Sequence, residues 1–582
     1  MRVKTAAFAI VLFAALFVFL ETAHRFHFFY IEQNRLFLMS GAYFWETVGA
    51  PAGPSSWVAG FLVQLFTLPY VGALVTAGLL TGAGVLTALI CRRIAPAALL
   101  YLLWALPTVG LLCIHFDFNY MYRGTVAFLG VLAALWLYVS LPRLRNRVVA
   151  GTILVPLLFW WGGSVATLFA LLVVMWEAMT RTPRWYLSLV VAAEMALIAG
   201  ASIWFLIFED WDVFSPGLYL PFGIVPNEEL WFPWIALPVS MAGALLMRRF
   251  WQRPMSLKRE SVVTIGQVAI VTLLAAAGTR TYFDQRAYRL KELNHYVRTE
   301  DWNAVIANSR GSLDNYLHLS YLNLALAQKG TLADDLFSYD QRGAEGLFVE
   351  WNGTAAAAIA LSDVNFMVGN ISVAQQMAFV GNVIIMPGYG SARIVQRLVQ
   401  TNLIFGFYPA AEKYIRLLEQ TMFYREWAAR HREFLYNDDA VAADPTLGAK
   451  RRSLPAGNEV SSNIGYHDLE VVARTNPADK TAVEYLGALM LTSKDMASFQ
   501  TLLEIYFGTE VLPALPRSFQ EAVMSMYEHN PEVWRQYGVS RETIDRFAEF
   551  RRQVLAGRGN GGLENSLRRS FGDTFWFYYM FK

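Results

Sequence analysis

The chain has 582 residues, 55% of them hydrophobic and only 16% charged, with a formal net charge of +2. The charged share is far below the roughly 25% of water-soluble domains, and a near-neutral balance without a basic stripe excludes a nucleic-acid partner. Only 13 of the 46 Asp and Glu precede residue 285, so an apolar first part, 1–284, is followed by a second part polar and long enough to fold around its own core.

Apolar spans in the first part are bounded by charges, and one crossing needs about 20 residues. Span 1 is Thr5–Leu20. Its apolar run is followed by Glu21-Thr22-Ala23-His24, a poor cleavage context, so it reads as an uncleaved first span. Residues 21–56 form a long loop with an amphipathic helix expected over Asn34–Thr47 and a breaker run from Gly49 to Pro54. Trp57–Leu68 is expected to lie partly in the interface. Span 2 is Tyr70–Ile90, span 3 Pro96–Ile114 and span 4 Gly124–Leu141.

Val148–Met179 is too long for one untilted helix. Trp160-Trp161-Gly162-Gly163 lies at its middle, and both ends carry Arg (Arg147 and Arg181). It is therefore divided into spans 5 and 6, with Trp160 and Trp161 as interfacial anchors. Span 7 is Trp185–Phe208, span 8 Phe232–Met247 and span 9 Val262–Gly278.

The gaps between spans alternate in charge. One set holds 14 Lys/Arg: Arg2, Lys4, Arg92, Arg93, Arg143, Arg145, Arg147, Arg181, Arg184, Arg248, Arg249, Arg253, Lys258 and Arg259. The other set holds 4: Arg25, Arg35, Arg123 and Arg280. Basic loops stay in the cytoplasm. The N-terminus is thus expected inside a cytoplasmic (inner) membrane, and residues 285–582 outside it, in the periplasm.

The second part reads as helical throughout. Tyr316, Leu317, Tyr321, Leu324 and Leu326 recur at helical spacing in Asn315–Lys329. Helix pairs follow: Ala392–Leu403 and Pro409–Gln420 about a Gly406 turn, then Asp479–Leu491 and Met496–Phe507 about Ser493–Asp495. Such pairs resemble tetratricopeptide repeats, although no 34-residue period survives. Asn437–Asn463 is expected to be a loop. The aromatic end, Gly572–Phe581, is too short to span and either docks on the domain or meets the membrane. The expected fold is all-α: a polytopic bundle of about nine spans, then a soluble helical-repeat domain with a surface for a protein partner.

Cys91 and Cys113 lie at opposite ends of successive spans, too far apart for a disulfide. No phosphate loop, zinc Cys pair or His-Glu-x-x-His is present. The chemistry-bearing groups sit on the outer face. The first loop carries Glu21, His24, Arg25, His27, Glu32, Arg35 and Glu46; residues 115–123 carry His115, Asp117, Asn119 and Arg123. Spans 1 and 3 both end outside, so the two pieces can meet. A carboxylate there can act as base toward a hydroxyl, and an Arg can grip a phosphate with two N–H groups. His24 and His27, with Glu32 or His115, could instead hold a metal. The acids of 209–231 (Glu209, Asp210, Asp212, Glu228, Glu229) read as loop solvation, and Trp211, Tyr219, Trp231 and Trp234 as an aromatic belt. Glu177 is expected to snorkel from the inner end of span 6, and Glu194, in mid-span, to bond a neighbouring helix as a neutral carboxyl.

This layout resembles the GT-C superfamily of membrane glycosyltransferases that use polyprenyl-linked sugar donors. The stretch Phe28-Phe29-Tyr30-Ile31-Glu32-Gln33 matches that group's acidic element after span 1, Asn34–Thr47 its surface helix, and spans 5 and 6 its short pair. The resemblance, over roughly residues 1–280, implies Glu32 as catalytic carboxylate and a polyprenyl-phosphate sugar as donor. Asp117 would be a second carboxylate, for a divalent cation or for the acceptor, with Arg25, Arg35, Arg123, Asn119 and His115 binding substrate. An Asp-x-Asp or adjacent Asp-Glu pair after span 1 is missing. The chain also resembles an uncharacterised bacterial family of multispanning proteins with helical-repeat tails. Two other readings compete: a membrane-anchored scaffold for cell-envelope assembly, and a transporter, against which the absence of internal symmetry among the spans counts.

Overall fold

A computed structural model describes residues 2–96, 99–208, 212–221, 224–248, 256–311, 313, 315–385, 390–455, 466–557 and 562–582. Among the described residues the regular elements are all helical; pairing between strands is limited to one isolated bridge, Phe507 with Leu512. Two compact units divide the chain, Met1–Arg289 and Leu290–Lys582.

In the first unit, α1 is Arg2–Ala23. Three short helices follow: α2 (Arg25–Gln33), α3 (Gly41–Val48) and α4 (Gly53–Gln64). Then come α5 (Val71–Ile94), α6 (Tyr101–Ile114), α7 (Tyr122–Ser140), α8 (Leu144–Gly162) and α9 (Val165–Met179). The unit ends with α10 (Leu189–Trp204), α11 (Phe232–Arg248) and α12 (Leu257–Tyr282). Six helical stretches are long and apolar enough to cross a bilayer: Lys4–Ala23, Val71–Ile94, Tyr122–Ser140, Trp185–Trp204, Glu228–Arg248 and Lys258–Tyr282. The count on length and apolarity alone is six rather than nine. Helices α6 and α9 have only 14 and 15 residues, and the first turn of α8 carries Arg145 and Arg147.

The long apolar stretch of 148–179 is two helices. Gly163, at φ 69°, takes a left-handed conformation that a side chain would strain, and there the chain turns from α8 into α9. α6 packs against α5, α11 and α12, and α7 against α4, α5, α8 and α9. Gly110 makes the α6–α11 contact possible. A Cβ there would stand 2.9 Å from the Pro233 nitrogen and 3.0 Å from the Phe232 carbonyl carbon, so the two backbones meet with no room for a side chain. Trp104, Phe66, Phe128, Tyr138 and Phe169 fill the core of this unit.

Two expectations near its start are corrected. The surface helix is Gly41–Val48, not Asn34–Thr47, because the Ser40 hydroxyl caps it by accepting the Tyr43 N–H at 3.3 Å. The segment before it holds a helix that was not expected, α2, whose aromatic face is buried through Phe26, Phe28 and Tyr30.

The second unit is built from helical hairpins. Helices α13 (Ala355–Val368) and α14 (Ile371–Ile384) turn through Gly369 at φ 91°. Helices α15 (Ala392–Phe405) and α16 (Tyr408–Glu419) turn through Gly406 at φ 74°. α14 packs on α15, so the hairpins stack in chain order. A later hairpin, Lys480–Thr492 and Met496–Tyr506, is capped where Asp495 accepts the Ser498 N–H at 3.1 Å.

Asn437–Asn463 is not a plain loop. It contains helices Asp438–Ala443 and Leu447–Arg452, started by Asn437 and Asp444 side chains that accept the N–H groups of Ala440 (3.1 Å) and Leu447 (2.7 Å). Its residues 456–463 lie outside the described residues, as do Glu209, Asp210, Trp211, Arg249 and Arg253.

The aromatic end docks on its own unit. Phe575, Trp576, Phe577 and Tyr578 are buried, and the Tyr578 hydroxyl donates to the Thr492 carbonyl at 2.6 Å. Glu521, whose carboxyl burial pushes up to about 7, accepts the Phe575 N–H at 2.6 Å, and its carbonyl accepts the Trp576 indole N–H at 2.7 Å.

Candidate functional site

Two pieces meet at one end of the first unit: α2 and the loop 115–121 between α6 and α7. His24 Nε2 lies 3.2 Å from the His115 carbonyl oxygen, and the Tyr30 and Phe118 rings are 5.1 Å apart. Aromatic rings surround the junction, with Phe116 and Phe283 both edge-on to one another and close to His24.

Asp117 has both carboxylate oxygens held by donors. It is 9% exposed. One oxygen accepts the Asn119 N–H at 2.7 Å, closing a turn that keeps the side chain against its own loop. The other accepts the Asn227 amide at 2.8 Å. Glu229 is buried beside it, close enough to feel the Asp117 charge, and Glu228 accepts the Tyr282 hydroxyl at 3.1 Å. A carboxylate fixed by two donors, with further carboxylates nearby, is oriented to take a proton from a hydroxyl presented to it. Glu32 is buried in the last turn of α2.

Glu228 and Glu229 were read as solvated loop acids. Glu229 is buried instead, because the chain enters α11 through a tight turn, Glu228–Trp231, that packs it against the bundle. Asn227 was not anticipated. Asx and acidic residues in a Pro-rich loop look alike whether they solvate it or face a site, and nothing local separates the two cases.

The arginines expected to grip a phosphate do other work. The Arg123 guanidinium donates to the carbonyls of Leu218 and Leu220, the latter at 3.4 Å. Arg35 donates to the Ser56 carbonyl at 3.3 Å. Both pin loops, which explains cations on this face without a ligand. No hydrogen bond or ion pair joins Arg123 to Asp117 among the described residues. Arg25 is exposed, with its guanidinium 4.8 Å from the Phe26 ring.

His115 is fully enclosed. Its Nε2 lies 2.9 Å from the Thr125 hydroxyl, which is in turn 3.1 Å from the Tyr120 hydroxyl. Burial lowers its pKa to about 3, so the imidazole is neutral at physiological pH and offers no charge to an anion. Nδ1 has no hydrogen-bond partner among the described residues. Among the described residues no three His, Cys, Asp or Glu side chains converge on a metal-sized space, so a divalent cation held by His24, His27, His115, Glu32 or Asp117 finds no support in the geometry.

Two further acids depart from expectation. Glu177 does not snorkel. It is fully buried and takes two parallel hydrogen bonds from Arg147, at 2.6 and 2.9 Å, with a third from the Tyr138 hydroxyl at 3.0 Å. Glu194 is half-buried, and among the described residues its Oε2 has no hydrogen-bond partner where one on a neighbouring helix was expected.

A family model described as "Family of unknown function (DUF6057)" matches residues 1–582. No curated protein and no solved structure matches the chain.

Proposed function

We propose, from the premise that the chain belongs to the DUF6057 family, that it is a multi-pass membrane enzyme that transfers a sugar from a polyprenyl-phosphate donor on the extracytoplasmic face. The observation that carries this reading is the Asp117 carboxylate, fixed by the Asn119 N–H and the Asn227 amide where the bundle meets its outer loops. In this reading Asp117 takes the proton from an acceptor hydroxyl as the oxygen attacks the sugar, and the lipid phosphate leaves. Glu32, near the end of α2, is the second carboxylate. Among the described residues Arg35 and Arg123 donate to carbonyls, which leaves Arg25, near Glu21 and the Phe26 ring, to meet the lipid phosphate in this reading.

The topology proposed is nine crossings, α1 and α5 to α12, with alternating direction. The charge bias, 14 Lys/Arg against 4, supports it. So does the ion pair of Lys4 with Glu260, which joins the first turns of α1 and α12 as expected of two helices entering from the same side. The hairpins of the second unit, which resemble tetratricopeptide pairs, would then hold the acceptor or a protein partner outside.

The test is release of labelled sugar from polyprenyl-phosphate donors by membranes containing the full chain. Asp117→Asn should lower the rate by about 10²–10⁴-fold, the usual worth of a positioned base, at unchanged expression. Wild-type rates in both Asp117→Asn and Glu32→Gln would end the reading. The stacked hairpins favour a second one, a scaffold for cell-envelope assembly. A scaffold carrying Asp117→Asn should keep its cellular role, whereas the enzyme should lose it.

A further inference from the structure

The second unit contains a cavity of about 910 Å³ that no part of the transferase reading uses. Its size falls in the range of small-molecule sites, about 300–1,000 Å³. We propose that this cavity binds a small anionic ligand, a phosphate- or carboxylate-bearing molecule up to about the size of a disaccharide. The inference does not depend on catalysis by Asp117.

The floor is laid by the first helices of two consecutive hairpins. α13 supplies Asp363 and Phe366, and α15 supplies Arg393 and Arg397. One buried carboxylate serves both guanidinia: Arg397 donates to Asp363 Oδ1 at 3.1 Å, and Arg393 to Oδ2. The Arg397 guanidinium lies 3.7 Å over the Phe366 ring, which holds it flat. A third cation, Lys450, enters from Leu447–Arg452 and donates to the Met367 carbonyl. Burial is the main force that depresses its pKa; the Asp479 charge works against this, and the neighbouring Arg397 charge adds to it.

Among the described residues the floor thus gathers three cations around one shared carboxylate, in a lining that carries five cations and four carboxylates altogether. Asp444 is occupied in capping the helix it precedes, accepting the N–H groups of Thr446 at 2.9 Å and Leu447 at 2.7 Å. Glu433 is exposed at the rim, where water screens it, and Glu300, also exposed, still acts by its charge on Arg397. An incoming anion would take charge-assisted hydrogen bonds from the Lys450 ammonium at the floor and the Arg430 guanidinium at the rim. Walls suited to a polyhydroxylated body stand beside the floor. Gln396 and Gln400 offer amides, and Trp427, stacked on His431 with ring centroids 3.5 Å apart, offers a flat apolar face. Burial lowers the His431 pKa, so that face is uncharged.

The test uses the detergent-solubilised full chain and titration calorimetry with four probes: inorganic phosphate, glucose 1-phosphate, glucuronate and glucose. Saturable 1:1 binding of glucose 1-phosphate or glucuronate, with glucose at least tenfold weaker, is expected. Binding by both anions assigns the shared charge; binding by one alone narrows the class to phosphate or to carboxylate. Lys450→Met should weaken the better anion at least tenfold, with Lys450→Arg restoring most of it. Arg430→Ala tests the rim independently. Its guanidinium is exposed and makes no hydrogen bond or ion pair among the described residues, so the fold does not depend on it, and a threefold or greater loss is expected. If Lys450→Met does not fold, Arg430→Ala decides. Failure of all three anions to bind at millimolar concentration, equal affinity for glucose, or unchanged affinity in the folded variants would overturn the proposal.

Discussion

Replacing Glu177 with Ala should destabilise the membrane unit by about 3–5 kcal/mol, the usual cost of stranding one partner of a buried ion pair. Glu177 on α9 is completely enclosed, and the Arg147 side chain from α8 is only 12% exposed. Their two parallel hydrogen bonds, at 2.6 and 2.9 Å, and the Tyr138 hydroxyl from α7 tie three consecutive helices together. Losing the carboxylate leaves a guanidinium with only the carbonyls of Leu141 and Pro142 and the Thr182 hydroxyl, at 3.2 to 3.5 Å. The pair itself is worth less than the cost of breaking it. The double variant Glu177→Ala with Arg147→Ala should therefore be much closer to wild type than the sum of the two single losses. Unfolding in mixed micelles under denaturant gives all three values. Additive losses would show that the two side chains act separately.

Asp363→Ala should be as damaging to the second unit, by about 3–5 kcal/mol, and by a different route. The carboxylate is the common acceptor for Arg393 and Arg397, whose side chains are 11% and 14% exposed. Without it Arg393 loses this ion pair, and Arg397 keeps the neutral Gln400 amide oxygen at 3.0 Å. Two guanidinia and the Lys450 ammonium then line one cavity without the carboxylate that the guanidinia share. Thermal unfolding should shift down by roughly 6–15 °C for that loss in a unit of this size. If the cavity takes anions, phosphate should recover more stability in Asp363→Ala than in wild type, because the ligand replaces the missing charge. A shift of less than about 2 °C would mean that the guanidinia are solvated in a way the fold does not suggest.

What could be read from the chain alone follows the range of the interactions concerned. The turn at Gly163 was legible because two arginines, Arg147 and Arg181, bracket an apolar run too long for one helix, and a Gly pair sits at its centre. The hairpin turns at Gly406 and Ser493–Asp495 were legible for the same local reason: a residue that tolerates the left-handed region, or an N-capping Asp, falls between two periodic runs. Helix α2 was not, since His24 through Gln33 carries more aromatics than helix formers and is held by burial rather than propensity. The surface helix was misplaced because its start is set by one hydroxyl, that of Ser40.

The site was legible as a neighbourhood and not as a geometry. That the first loop and residues 115–123 meet follows from where their helices end. Which groups face each other does not. Asp117 is held by Asn227, 110 residues away, and Glu177 by Arg147, 30 residues before it. Cations on a face that disfavours them suggested a phosphate, yet Arg35 and Arg123 turn out to satisfy carbonyls of Ser56, Leu218 and Leu220. A cation retained against the charge bias signals only that something nearby needs a donor. The same lesson applies in reverse to the cavity of the second unit. Arg393 and Arg397 stand four apart on one helical face, which is visible in the chain, but the single carboxylate they share lies 30 and 34 residues earlier.

Everything proposed for the outer carboxylates, and for the second unit as holder of the acceptor, requires both to share the compartment that the arginine-poor loops face. Fusing alkaline phosphatase, and separately green fluorescent protein, to Lys582 of the full chain in a bacterial host reads that compartment directly. Nine crossings with the first helix entering from the cytoplasm put the fusion outside, so the phosphatase should be active and the fluorescent fusion dark. A bright fluorescent fusion with an inactive phosphatase would contradict the account.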